Sequence, residues 1–195
     1  VLVHAGDITS MGKEHEIQNF LNWFARTDFK HKIFIAGNHD FGFEHGFEID
    51  QEFKDMGVIY LQDSEVTIDG VKFYGSPWQP EFYDWAFNLP RGEKLAQKWS
   101  KIPGNTDILI THGPVYGLLD YAPHGGHVGC EELYRRVFDV KPKIHVCGHI
   151  HGAYGQKSIE GVEFLNASVL DERYEHAHKP IVVEFNTETK EVVYA

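Results

Sequence analysis

Four short apolar runs in this chain each stop abruptly at a cluster of polar side chains, and this repeated grammar constrains the fold more than any other feature. The clusters are Gly6-Asp7, Gly37-Asn38-His39-Asp40, Thr111-His112-Gly113 and Gly148-His149-Ile150-His151. A short apolar run bounded by glycine reads as a buried strand. Sheet proteins gather their sites just beyond strand ends, so the four clusters are expected to converge. Glycine in each cluster lets backbone pass close to a ligand without a Cβ in the way.

The remaining pattern supplies the scaffold. Ile17, Phe20, Leu21 and Phe24 follow the spacing of one helix face within residues 13–27. Further helices are expected over residues 47–56, closed by Gly57, and over residues 93–101 and 131–140. Strands are expected at residues 1–4, 32–36, 58–61, 107–111 and 143–147. Asp69-Gly70 predicts a tight hairpin between residues 65–68 and 71–74. Residues 162–165, 180–185 and 191–194 read as closing antiparallel strands. Residues 76–91, aromatic and broken by Pro77, Pro80 and Pro90, read as a long structured loop, and residues 115–128 as a glycine-rich one. Strand-helix alternation followed by hairpins predicts an α/β (α+β) fold, a two-sheet β-sandwich flanked by helices. A length of 195 residues suits a single domain over 1–195.

Composition narrows the function. The net charge is −11, so the basic footprint that long nucleic acid needs is missing. An anionic substrate then requires positive charge from elsewhere, and bound metal ions are the obvious source. No apolar run approaches the ~20 residues of a membrane span. Cys130 and Cys147 are the only cysteines. They are read as reduced thiols of a cytoplasmic protein, with Cys147 facing the core.

The clusters offer carboxylate, amide oxygen and imidazole, a donor mixture that suits Mn, Fe or Zn and not a thiolate site. Taken singly the signals are weak. A lone Gly-Asp is ordinary turn chemistry, and a lone His112 is more often a packed histidine. All four in order, each after a strand, point to a metal centre. His124 and His127 read as exposed loop histidines. His4, His15, His31, His45, His145, His176 and His178 have no motif context and are assigned nothing.

The clusters resemble the signature of the calcineurin-like metallophosphoesterase superfamily, which reads D-x-H, G-D, G-N-H-[DE], H and G-H-x-H. Four of the five blocks match in order from Asp7 to His151. Gly75-Ser76-Pro77-Trp78, Phe87-Asn88-Leu89-Pro90-Arg91-Gly92, Thr111-His112-Gly113-Pro114, Val128-Gly129-Cys130 and Asn166-Ala167-Ser168 resemble the metallophosphoesterase-domain-containing (MPPED) branch. The resemblance implies that Asp7 bridges two divalent ions, that Asn38, His112 and His149 complete one site, and that His151 binds at the other. It makes His39 the general acid or orienting residue beside the scissile phosphate, with Asp40 orienting its neighbours. Some members of the branch carry Gly where this chain has His149, and the full histidine pair here favours turnover.

The D-x-H block has no counterpart in residues 1–6, and it is expected on a strand upstream of Val1. Without it, one metal position has only Asp7 and His151. Ser10 stands where some phosphoesterases place an acid to pair with the catalytic histidine, so His39 must find another partner or none.

The expected activity is metal-dependent hydrolysis of phosphate esters, with nucleotide-like phosphodiesters preferred and Mn favoured among the metals. Trp78, Phe82, Tyr83, Trp85 and Phe87 could stack a base, although packing of the loop is the commoner use of such residues. Asn38, His39 and Arg91 are the expected substrate contacts. Two other classes stay open. One is a nucleotide-binding protein with little turnover, and the other is a metal hydrolase acting on carbon esters or amides.

Overall fold

The computed structural model describes residues 1–194. The chain begins with β1 (Leu2–His4), α1 (Glu14–Ala25), β2 (Lys32–Phe34), the short helices α2 (Phe41–Glu44) and α3 (Gln51–Asp55), and β3 (Val58–Tyr60). The hairpin β4 (Ser64–Ile68) and β5 (Val71–Ser76) follows, then the two-residue strands β6 (Gln79–Pro80) and β7 (Asn88–Leu89). Next come α4 (Glu93–Trp99), β8 (Ile108–Thr111), the small hairpin β9 (Tyr121–Ala122) and β10 (Gly126–His127), α5 (Glu131–Val140) and β11 (Ile144–Cys147). A turn of 3-10 helix at His151–Ala153 leads into β12 (Gly155–Ile159), β13 (Val162–Asn166), β14 (Val183–Phe185) and β15 (Val192–Tyr194).

Two sheets carry the architecture. One is parallel, in the order β1-β2-β3, and the other runs β12-β13-β11-β8-β5-β4. The four inner strands of the second sheet are parallel, and β4 and β12 close its edges antiparallel. Alternation along each strand sorts side chains between layers, because successive residues face opposite ways. Ile33 and Ile35 of the first sheet meet Phe73, Ile108, Ile110 and Leu165 of the second in one buried cluster between the sheets. On the outer side of the first sheet, α1 packs Phe20, Leu21 and Phe24 against Phe34 and Val58. On the outer side of the second, Leu95, Trp99, Leu133 and Val137 from α4 and α5 cover Tyr74, Leu109 and Phe164. The result is the helix-flanked two-sheet sandwich that the pattern predicts.

Several local features depart from the expectation. The helix expected at residues 47–56 is confined to α3, and the short α2 lies ahead of it, with Gly46 between the two at a positive φ of 90°. Gly57 closes α3 at φ 83°, where an added Cβ would lie 2.3 Å from the Lys30 carbonyl oxygen. The loop at residues 76–91 is pinned by pairing of Gln79 with Asn88 and Pro80 with Leu89. β12 carries no alternating apolar pattern (Gly-Gln-Lys-Ser-Ile), so only its pairing to β13 reveals it. β13 is also not purely antiparallel, since it pairs parallel to β11. At Asp69-Gly70 both residues take positive φ, 48° and 78°, as a tight hairpin turn demands.

Strands β1, β2, β8 and β11 run parallel to their neighbours, so their C-terminal ends lie on common edges of the two sheets. All four polar clusters follow these ends.

Candidate metal centre

Asp7, Asn38, His112 and His149 come together at the floor of a cleft of about 500 Å³. Ligand atoms of Asp7, His112 and His149 all lie within 4.8 Å of one another. His112 is the best-defined member. Its Nδ1 is 2.8 Å from the Ala5 carbonyl oxygen, which can only accept, so Nδ1 carries the proton. Nε2 then faces Asn38 Oδ1 at 2.9 Å and Asp7 Oδ2 at 3.3 Å. Two oxygen acceptors and an imidazole lone pair cannot satisfy one another, and a shared cation resolves the arrangement. The donor set therefore fits a divalent ion of borderline hardness. Without an ion, a proton on Nε2 does the same work. Burial opposes charge on His112, but Asp7 and the Ala5 carbonyl outweigh it and raise its pKa.

Backbone geometry explains why these residues meet. Asp7 sits at φ 57° and His149 at φ 67°, a region that non-glycine residues seldom occupy and that recurs at functional sites. Gly37 permits the approach of three segments. A Cβ there would lie 2.3 Å from Asp7 Oδ1 and 2.5 Å from His112 Cε1. Burial alone would raise the Asp7 carboxyl pKa. Interaction with His112 and the hydrogen bond from His39 N instead hold it well below the usual carboxylate range. Burial, with the nearby His112, pushes His149 down to about 3, leaving its ring a neutral donor for an ion.

Asp40 is fully buried and lines up four donors. Ile8 N and Gly37 N donate to Oδ2 at 3.1 and 2.7 Å, and Thr9 N and Oγ1 donate to Oδ1 at 2.9 and 2.7 Å. It thus ties the loop carrying Asp7 to the loop carrying Asn38, the orienting role expected of it. Burial and the Asp7 charge push its pKa up to about 6.

His39 stands above this floor. Its backbone N–H donates to Asp7 Oδ1 at 3.0 Å, and its Nδ1 donates to the Ser10 carbonyl at 2.8 Å. The missing acidic partner is thus replaced by a main-chain acceptor, which leaves Nε2 the basic nitrogen. The Trp85 ring lies 4.3 Å from the His39 ring and limits its rotation.

His151 lines the same cleft but falls outside the close group. Its Nδ1 donates to the Asp171 carbonyl at 2.9 Å. Arg91 also lines the cleft, yet its guanidinium is taken up by the carbonyls of Gly129 and Val128, at 2.7 and 2.8 Å, and by Glu131. These bonds hold the cleft wall at residues 128–131. Of the aromatic loop, Phe87 and Trp78 pack into the core. Phe82 approaches the His149 ring at 5.2 Å, and Tyr83 is 89% exposed. Cys147 is buried, as expected, and no disulfide is formed.

Three residues around the site carry no signal in a linear reading, and Asn166 carries only part of one. Glu172 and Tyr174 line the cleft beside His151 from a loop far along the chain. Asn166 donates to the carbonyls of Ile150 and Leu119 at 2.9 and 3.1 Å, fastening the His149-Ile150-His151 turn. Its motif is visible in the sequence, but the staple is not. Asp120, 1% exposed, accepts from Gly117 N, Gly129 N and His127 Nδ1 and organises the glycine-rich loop. His127 is exposed, as the sequence reading expects, and it is paired to Asp120.

No described helix is long and apolar enough to cross a membrane. Comparison with known proteins agrees with the geometry. The family described as calcineurin-like phosphoesterase matches residues 1–153. Metallophosphoesterase domain-containing protein 1 of Homo sapiens and that of Mus musculus are each 43% identical over 211 residues, a match that covers 96% of this chain. The chain spans 65% of the length of these two relatives. The crystal structure of TT1561 of Thermus thermophilus aligns over 100% of this chain and 84% of its own, with a TM-score of 0.61 at 11% identity, a likeness of fold alone. Family match, fold and converging ligands agree, and the chain belongs to the calcineurin-like phosphoesterase family.

Proposed function

We propose that this protein is a phosphodiesterase that hydrolyses nucleotide-like esters with the help of two divalent ions, manganese foremost. The observation that carries the reading is the meeting of Asp7, Asn38, His112 and His149 under His39 in one cleft. Asp7, Asn38, His112 and His149 would hold one ion, and Asp7 with His151 would contribute to the other. When bound, such ions set positive charge against phosphate oxygens and acidify the attacking water.

The protein's own groups do the rest. Asn38 and His39 face the position of the phosphate. His39 keeps Nδ1 on Ser10, so Nε2 can carry a proton to the leaving oxygen. Trp85 holds that imidazole in place, and Phe82 with Tyr174 offers apolar surface to a leaving group such as a nucleoside. Small phosphate esters are thus the partners of this site, and the negative net charge disfavours long nucleic acid. Both cysteines are buried and unbridged, which supports a cytoplasmic setting.

The deciding experiment compares bis-p-nitrophenyl phosphate with p-nitrophenyl acetate in the presence of Mn(II). Cleavage of the phosphate diester and not the acetate supports the proposal. Cleavage of the acetate alone moves the protein to carbon-ester hydrolysis, and nucleotide binding with no cleavage makes it a binding protein.

A further inference from the structure

Directly behind His112 lies a buried polar pair that the metal centre does not use. Thr111 and His145 are 0% and 1% exposed. Thr111 Oγ1 lies 2.7 Å from the Gly113 carbonyl oxygen and 2.7 Å from His145 Nε2. A carbonyl only accepts, so the single hydroxyl hydrogen goes to Gly113. His145 Nε2 must then be protonated and donate to the hydroxyl oxygen. The order of protons is therefore fixed, from His145 Nε2–H to Thr111 Oγ1–H to the Gly113 carbonyl.

Two members of this chain bracket the ligand. Thr111 and Gly113 flank His112, and Gly113 itself lines the cleft. The other fastenings of His112 are the hydrogen bond from Gly148 N to its carbonyl at 2.9 Å and that from its Nδ1 to Ala5 at 2.8 Å. The Thr111 hydroxyl adds a third restraint one residue further on, at the Gly113–Pro114 peptide. His145 reaches it from the adjacent strand, because β11 and β8 pair in parallel with His145 opposite Leu109. Phe164 meets the His145 ring edge-on at 5.7 Å and fixes its plane. A buried imidazole in a sheet is a costly choice where an aliphatic residue would pack, unless its hydrogen bond serves a purpose.

We propose that His145 and Thr111 form a positioning relay that sets the turn carrying His112 and thereby tunes the metal affinity of the site. The inference rests on the metal-centre reading and adds two residues that touch neither ion nor substrate. Partners that orient metal ligands typically change affinity by about 10–100-fold when removed.

The test is Mn(II) binding by isothermal titration calorimetry to the purified protein, with circular dichroism as the check on folding. Thr111→Val keeps volume and removes the hydroxyl, and it should weaken Mn(II) binding by about 10–100-fold. Thr111→Ser restores the hydroxyl and should bind within a few-fold of wild type. Thr111→Val with wild-type affinity overturns the relay, and so does an equal loss in Thr111→Ser, which would trace the effect to shape. Should Thr111→Val fail to fold, His145→Phe against His145→Gln makes the same comparison, since glutamine retains an N–H donor. Loss in the first with recovery in the second supports the relay, and equal affinity overturns it. Absence of Mn(II) binding by the wild-type protein removes the metal-centre reading itself, and the relay with it.

Discussion

The backbone N–H of His39 donates to Asp7 Oδ1 at 3.0 Å, so the candidate proton donor and the most central candidate ligand are joined by one bond. That bond occupies one carboxylate oxygen and leaves Oδ2 facing His112 at 3.3 Å. It also separates two functions that mutation can address one at a time. The His39 side chain is anchored to the Ser10 carbonyl, while its backbone supports Asp7.

Replacing the side chain alone should therefore spare the metal. His39→Gln is expected to lower turnover of bis-p-nitrophenyl phosphate by about 10²-fold or more, the usual contribution of a positioned acid. Metal content by elemental analysis should stay at the wild-type level, because the main-chain N–H persists. Undiminished turnover would take His39 out of the mechanism.

Asp7→Asn should act in the opposite way. The amide loses the charge that draws an ion into a cluster otherwise made of neutral donors, and bound metal should fall. Thermal stability in excess Mn(II) should fall with it, since an ion that binds only the folded state stabilises by mass action. Full occupancy in this variant would rule out a central role for Asp7.

Much of this arrangement is legible in the sequence because the ligands sit where strand patterns end. Gly6-Asp7 and Gly37-Asn38-His39-Asp40 follow the ends of β1 and β2 closely, and no long-range information is needed to see them. What stays hidden is set by tertiary contacts. Glu172 comes to lie against Gly152, where an added Cβ would meet its Oε1 at 2.5 Å, only because the loop after β13 folds back. Arg91 has the right chemistry for a phosphate clamp, and only the structure shows that Glu131 and two carbonyls also bind it. His145 looks like any strand histidine until Thr111 is placed beside it.

Asp40 allows a stability measurement free of metal. Four donors converge on its carboxylate, so Asp40→Asn would turn an amide NH₂ toward groups that also donate. At least one buried donor is then left without a partner, a loss of about 1–3 kcal/mol. Urea denaturation of the metal-free protein should show that decrease. An unchanged midpoint would mean that the two loops are held by other contacts.

His145 gives the clearest dependence on pH. Burial lowers its pKa from the ordinary value of 6.5 to about 3, so the folded protein keeps it neutral while the unfolded chain protonates it below about 6.5. The sign follows from proton counting. At a pH between these values the unfolded state binds the extra proton, so acid favours unfolding. The contribution to stability is complete above about 6.5 and is lost progressively as the pH falls toward 3. The slope approaches about 1.4 kcal/mol per pH unit for one fully buried group. His4, lowered by burial to about 4, adds a similar slope over a narrower window. Comparing wild type with His145→Gln isolates the first of these, because His4 is common to both. Stability of the metal-free proteins, taken from urea curves at intervals between about pH 7 and 4.5, should fall less steeply in the variant by about 1 kcal/mol per pH unit. Parallel curves would show that His145 is already protonated in the folded state, and the proton order assigned through Thr111 to Gly113 would then lose its neutral donor.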